Sequence, residues 1–154
     1  MAAETSGPTG ALAAREIVST RVLGAVRELV FRAISEPDRL ARWWGPKGFS
    51  NLFHEFDFRP GGAWRFVMRG PDGTDYLNRS VFVEIVKPER IVLRHETGPR
   101  FELTIGLAAH GGGTRITWRM LFPSPAKCER AKKRAVEANE ENFDRLEAEL
   151  ARMA

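Results

Sequence analysis

Cysteine is almost missing from this chain. Cys128 stands alone among 154 residues, which excludes an intramolecular disulfide and a zinc site built from thiolates. Histidine is confined to His54, His95 and His110, too far apart in sequence for one helix or strand to present a ready pair of imidazole ligands. No apolar run approaches the length of a bilayer span. The start of the chain, through Ala14, carries small and polar residues in place of the basic start and apolar stretch of a secretory leader. A cytoplasmic, reducing location is the expectation that follows. A Gly-x-Ser-x-Gly elbow is absent, and Cys128 has no histidine near it in sequence, so neither kind of nucleophile is signposted. The Gly61-Gly62 and Gly111-Gly112-Gly113 clusters do not lead into helices, which removes a phosphate-cradling loop. Neither a metal nor another cofactor is therefore expected.

A strong excess of one charge is also lacking. The 24 basic and 20 acidic residues give a net charge of +4 and are interleaved along most of the chain, as in Glu36-Pro37-Asp38-Arg39. The one dense basic run, Lys127 to Arg134, reads as a solvated helix face, and no nucleic-acid partner is expected. What remains is an ordinary globular composition, 43% hydrophobic and 29% charged, with a core large enough to need no staples. Residues 1–13 read as a disordered tail and residues 14–154 as one domain.

Periodicity divides that domain. Arg15 to Leu23 alternates, Ile17, Ser19 and Arg21 against Val18, Thr20 and Val22, and predicts a strand. Val26, Leu29, Val30 and Ala33 then fall at helical spacing. Ser35-Glu36-Pro37 stops that helix and starts a shorter one, with Ser35 expected as its N-cap and Trp43-Trp44-Gly45-Pro46 as its end. Six strand segments follow between turn signals: Phe49–Phe58, Ala63–Arg69, Thr74–Val86, Ile91–Thr97, Phe101–Ala109 and Thr114–Phe122. Short connections make them an antiparallel meander. Phe101, Leu103, Ile105 and Leu107 share one face, as do Ile116, Trp118, Met120 and Phe122. Ser124-Pro125 caps a last helix running to about Met153, roughly 40 Å long. An apolar sheet face of this size has to be covered, and the long helix is the available cover. The fold class is α+β, a curved antiparallel sheet wrapped around one long C-terminal helix with two short helices after the first strand.

The segments Glu36-Pro37-Asp38-Arg39-Leu40-Ala41-Arg42-Trp43-Trp44-Gly45-Pro46, Asp57-Phe58-Arg59-Pro60-Gly61-Gly62-Ala63-Trp64 and Asp72-Gly73-Thr74 carry a resemblance, as do Val83-Glu84-Ile85, Pro88-Glu89-Arg90-Ile91-Val92 and Gly112-Gly113-Thr114-Arg115. In this order they resemble the START-like (SRPBCC, helix-grip, Bet v 1-like) superfamily, and within it the bacterial branch named after the activator of the Hsp90 ATPase. The likeness covers roughly Ala14 to Leu150. It departs at Ala138, where the family often has glycine. The resemblance implies a cavity between sheet and C-terminal helix. Members bind lipids, hormones or polyketides, and some catalyse cyclisation or hydrolysis; a shared fold does not fix which.

The inward stripe of the last helix reads Cys128, Ala131, Ala135, Ala138 or Asn139, Phe143, Leu146 and Leu150. Its first half is small and its second bulky, which leaves either close packing or a void beneath the first half. The first half also places Lys127, Arg130, Lys132, Lys133 and Arg134 near the positive end of the helix dipole, so those turns are expected to fray and to gate the void. The leading expectation is a pocket for a small apolar or amphipathic molecule. Its walls would come from Trp64, Phe66, Met68, Trp118, Met120, Ala135 and Phe143, with polar handles from Tyr76, Asn78 and Asn139. An acid–base enzyme of the polyketide-cyclase or hydrolase kind is the alternative, and its signature would be a perturbed titratable group in the pocket. A partner of an Hsp90-type chaperone is a third, although the chain is expected to lack the further domain of the eukaryotic co-chaperones. A homodimer stays open. His95 shares a strand phase with Ile91 and Leu93 and is expected to be a hydrogen-bonded structural residue, and His110 to face solvent. Whether the set His54, Phe56 and Phe58 or the set Glu55 and Asp57 faces inward stays open as well.

Overall fold

The computed structural model describes residues 12–154, so the expected tail lies almost wholly outside the described residues. Alternation in the first strand, β1 (Glu16–Leu23), buries Ile17, Ser19 and Leu23 and leaves Val18 and Val22 exposed. Two helices follow, α1 (Arg27–Ser35) and α2 (Pro37–Trp43), and then the strands β2 (Ser50–Phe56), β3 (Ala63–Arg69), β4 (Asp75–Val86), β5 (Arg90–His95), β6 (Phe101–His110) and β7 (Gly113–Leu121). The helix α3 (Pro125–Met153) ends the chain. The seven strands form one antiparallel sheet in the order β1-β7-β6-β5-β4-β3-β2. The meander is thus closed on one side by β1, which pairs with β7 from Glu16↔Leu121 to Leu23↔Thr114.

Two local details depart from the sequence reading, and a third bears out the tight turn at Gly61-Gly62. Ser35 ends α1 and does not cap α2; the N-cap is Glu36, whose side chain makes no capping bond. Its carboxylate pairs with Arg32 at 3.0 Å and Arg39 at 2.6 Å. The second strand carries a bulge, its register slipping between Phe53↔Phe66 and Glu55↔Arg65. His54 is the extra residue, so Phe53 and Phe56 both pack on the core while His54 is exposed. Neither alternating set faces inward as a whole. Finally, Gly61 has φ +85°, and a Cβ on Gly62 would collide with the Asp57 carbonyl oxygen. Only glycine fits a turn this tight.

The α3 helix starts as its sequence demands, with the Ser124 hydroxyl accepting from the Lys127 N–H at 3.2 Å and Pro125 in the first turn. It packs mainly on β1 and on the two short helices. Phe143, Leu146 and Leu150 are buried there, and Arg21 of β1 reaches out to Asp144, Glu147 and Glu140 at 2.7 to 2.9 Å. Polar residues share that buried stripe. Asn142 donates to the Trp43 carbonyl at 2.7 Å, and Glu149 is fully buried between Arg152, Arg42 and Arg39 at 2.8, 3.2 and 3.5 Å. A lone carboxylate there would be costly, and three guanidinium groups offset its desolvation.

Leu146 is 0% exposed at the centre of this packing. Leu146→Ala is expected to destabilise the protein by about 2–5 kcal/mol, read as a lowered midpoint in urea denaturation; an unchanged midpoint would show that this face of α3 carries no core.

Candidate functional site

Large side chains fill the space under the middle of α3. Trp44 packs on Trp64 and Trp118, at ring-centroid distances of 4.8 and 5.4 Å, and Trp118 meets Phe143 edge-on at 5.8 Å. Trp64 stacks on Phe66 at 4.3 Å, and Phe53 and Phe56 lie against Trp64. The void expected against Trp64 and Trp118 is therefore occupied by aromatic rings, Trp44 among them. Within this cluster the Trp64 Nε1–H is buried without a hydrogen-bond partner.

The open space lies further toward the start of α3. There the helix presents Ala131, Ala135 and Ala138, side chains too short to reach β6 and β7. The opposite wall is Phe101 of β6, Met120 of β7 and Phe122, and the ends are closed by Pro46 and by the loop Gly98-Pro99-Arg100. The result is a mostly apolar groove of about 700 Å³, open to solvent. That volume lies in the range of small-molecule sites. Basic side chains alone carry the charge along its walls: Lys127, Arg130 and Arg134 on successive turns of α3, and Arg100 across from them.

Two polar anchors hold the groove's ends. Arg145 on α3 donates from one terminal nitrogen to the carbonyls of Trp44, Gly45 and Pro46 at 2.9 to 3.1 Å. Its other terminal nitrogen donates to those of Arg42 and Phe49 at 3.0 and 2.9 Å. Burial pulls this guanidinium below its ordinary value, yet an arginine stays charged throughout the accessible range. At the other end His95 sits under the Gly98-Pro99-Arg100 loop. Its Nδ1 contacts the Pro99 carbonyl at 3.0 Å, its Nε2 the Asn78 Oδ1 at 2.8 Å, and its ring stacks on Phe101 at 4.8 Å. Burial pulls His95 below the ordinary imidazole value and outweighs the hydrogen bonds to Pro99 and Thr97, which favour the charged ring.

Of the residues expected to line a pocket, Met120 and Ala135 are on the groove wall. Trp64, Phe66, Trp118 and Phe143 belong to the packed aromatic core. Asn139 is buried beside the groove and donates to the Ser19 hydroxyl at 3.1 Å. Asn78 is committed to His95, and with Phe66 it borders a second recess, beside His54 and Arg65. Tyr76 is 48% exposed against Phe49, and Met68 is half-buried beside Gly45. Phe122 shares the strand face of Met120 that the sequence set against the small half of the helix, whereas Phe101 and the 98–100 loop were not singled out as wall residues. Cys128 is buried, and burial pushes its thiol above the ordinary value against the opposing effect of Lys132. Such a thiol is a poor nucleophile. Among the described residues no three His, Cys, Asp or Glu side chains come together as metal ligands, and no helix is long and apolar enough to cross a membrane.

An antiparallel sheet gripping a long C-terminal helix, with a groove beneath that helix, defines the protein as a helix-grip domain of the START-like class. Within that class the chain belongs to the family described as activator of Hsp90 ATPase homolog 1-like proteins, whose model matches residues 24–151. Similar solved structures include a protein from Nitrosomonas europaea, 24% identical with a TM-score of 0.84 over 92% of this chain and 97% of that one. Another, from Chromobacterium violaceum, is 27% identical with a TM-score of 0.77 over 86% of this chain and 95% of that one. A third, from Silicibacter pomeroyi and named for the same family, is 19% identical with a TM-score of 0.75 over 90% and 99% of the two chains. A search of curated proteins finds no match.

Both anchors are open to test. Arg145→Lys keeps the charge but loses the planar fork, and is expected to cost about 2–4 kcal/mol in denaturant titration. For His95 the lowered folded-state value fixes the sign: its contribution to stability is present above the ordinary imidazole value and is lost as pH falls through the folded-state value. The stability difference between wild type and His95→Gln is therefore expected to shrink from about pH 7 to about pH 5; a difference that grows on acidification would reverse the assignment.

Proposed function

We propose that this protein binds a small apolar or amphipathic molecule in the groove between the first half of α3 and the β6–β7 face. The observation that carries this reading is the groove itself, about 700 Å³ with Phe101, Met120, Phe122 and three alanines along its walls. Met120 and Phe122 are themselves buried, so the groove is a concavity at the margin of the core, and apolar concavities with a few polar groups at the rim are the usual form of a ligand site. The placement of the alanines supports it further, because between the buried Cys128 and Phe143 the apolar side chains that the helix presents toward the groove are all short.

Binding is favoured over acid–base catalysis by the groove's chemistry. A cyclase or hydrolase needs a carboxylate or imidazole within reach of its substrate, and the charged side chains along these walls are lysine and arginine. The family's description names activation of a chaperone ATPase; that role would be carried by an outer surface and is separable by experiment.

Ala135→Trp is expected to fill the groove. Uptake of an apolar fluorescent probe by wild type should be abolished in the variant, with the melting midpoint held or raised. Overpacking a filled site typically costs about 1–3 kcal/mol. A variant destabilised by that amount, together with a wild type that takes up no probe, would overturn the binding reading. Retained stimulation of an Hsp90-type ATPase by the variant would assign that activity to a different surface.

A further inference from the structure

The sign of the charge around the groove carries the argument one step further, on the basis that the groove is a ligand site. Lys127, Arg130 and Arg134 recur at the spacing of successive helical turns, which aligns them along one edge of the groove. Arg100 stands at the end of the opposite wall. Elsewhere most arginines are paired: Arg21, Arg39, Arg65, Arg69 and Arg90 each meet a carboxylate within 3 Å, whereas Arg15, Arg27, Arg115 and Arg145 meet none. Among the described residues, none of the four groove cations has a carboxylate within ion-pair distance. Glu102 borders an adjoining recess and does not line the groove itself.

These cations are also placed against the helix's own preference. The first turn of α3 contains no acidic residue, although acidic side chains there would complement the positive end of its dipole. Cations concentrated at this end add their field to that of the dipole, and an apolar wall lowers the local polarisability that would screen them. An anion is the complement to that field, and an apolar body is the complement to Phe101, Met120 and Phe122.

We propose that the ligand is a small anionic amphiphile, taken up as a monomer: an apolar body lying between α3 and the β6–β7 face, and a carboxylate or comparable anionic head held by Arg130, Arg134, Lys127 and Arg100. The apolar wall provides affinity and the four cations select the charge of the head. Charge-assisted contacts of this kind discriminate by about 10- to 100-fold, and at a groove open to solvent the preference falls as salt is added.

Isothermal titration with three probes of equal chain length tests this: dodecanoate below its micelle concentration, dodecanol and dodecyltrimethylammonium. Dodecanoate is expected to bind at least about tenfold more tightly than dodecanol, with the cationic probe weakest. The doubly substituted Arg130→Glu, Arg134→Glu protein is expected to lose the preference for dodecanoate, binding it no more tightly than it binds dodecanol. Both side chains are exposed, and acidic residues in this half of α3 suit the dipole, so the melting midpoint should hold or rise. Equal affinity for dodecanoate and dodecanol in wild type would overturn the head-group assignment and leave the groove as a site for neutral guests. Failure of all three probes to bind would overturn the groove reading together with it. Co-sedimentation with phosphatidylglycerol vesicles in place of monomer uptake would overturn the proposal in favour of adsorption to a charged surface.

Discussion

The arrangement of this protein depends on one side chain that gathers five backbone carbonyls. Helix α2 ends at Trp43, and the chain then has to turn from the helical layer back to the sheet edge. The carbonyls of Arg42, Trp44, Gly45, Pro46 and Phe49 turn toward α3 in doing so, and the guanidinium of Arg145 accepts that role for all of them. Trp44 and Pro46 keep second donors in the Asn51 amide and the Phe49 N–H, and a buried carbonyl left without any partner would cost on the order of 1–3 kcal/mol. With the segment pinned, Trp43 donates its Nε1–H to the Ala33 carbonyl at 2.8 Å and Trp44 lies against Trp64 and Trp118. The same segment carries Pro46 to the end wall of the groove. One cation thus sets where the interior is full and where it is open.

That division follows the two halves of α3. In the second half, Phe143, Leu146 and Leu150 close on the sheet, and Asn142 and Glu149 are paired inside the same stripe. In the first half, alanine after alanine leaves the helix standing off β6 and β7. Stability and access are separated along one helix: the part that holds the fold together is not the part that lines the groove.

The sequence carried much of this architecture. Period-two runs between glycine and proline turns located all seven strands, because each strand buries one face and leaves the other wet. Ser124-Pro125 located the start of α3, since a hydroxyl cap followed by proline has few other uses. The contrast between small and bulky halves of α3 was legible as well. Less legible was which residues fill the interior. The bulge at His54 shifts the phase of β2 within the strand, and a strict alternation has no means of showing it. Arg145, Asn142 and Glu149 look like solvent-facing residues on a helix, and only tertiary partners reveal that they are inside. Trp44 was legible only as part of the end of the second short helix, yet it fills space that the sequence assigned to a guest.

The bulge has a further consequence, for how copies of this chain meet each other. The sheet is open, with β1 at one margin and β2 at the other, and a flat unpaired strand is a template on which a second molecule can extend the sheet. At β2 the extra residue His54 breaks the even spacing of outward N–H and C=O groups, and Glu55 and Arg65 place an ion pair beside the break. A bulge and a charged pair on an edge strand are devices by which natural sheets discourage edge-to-edge pairing.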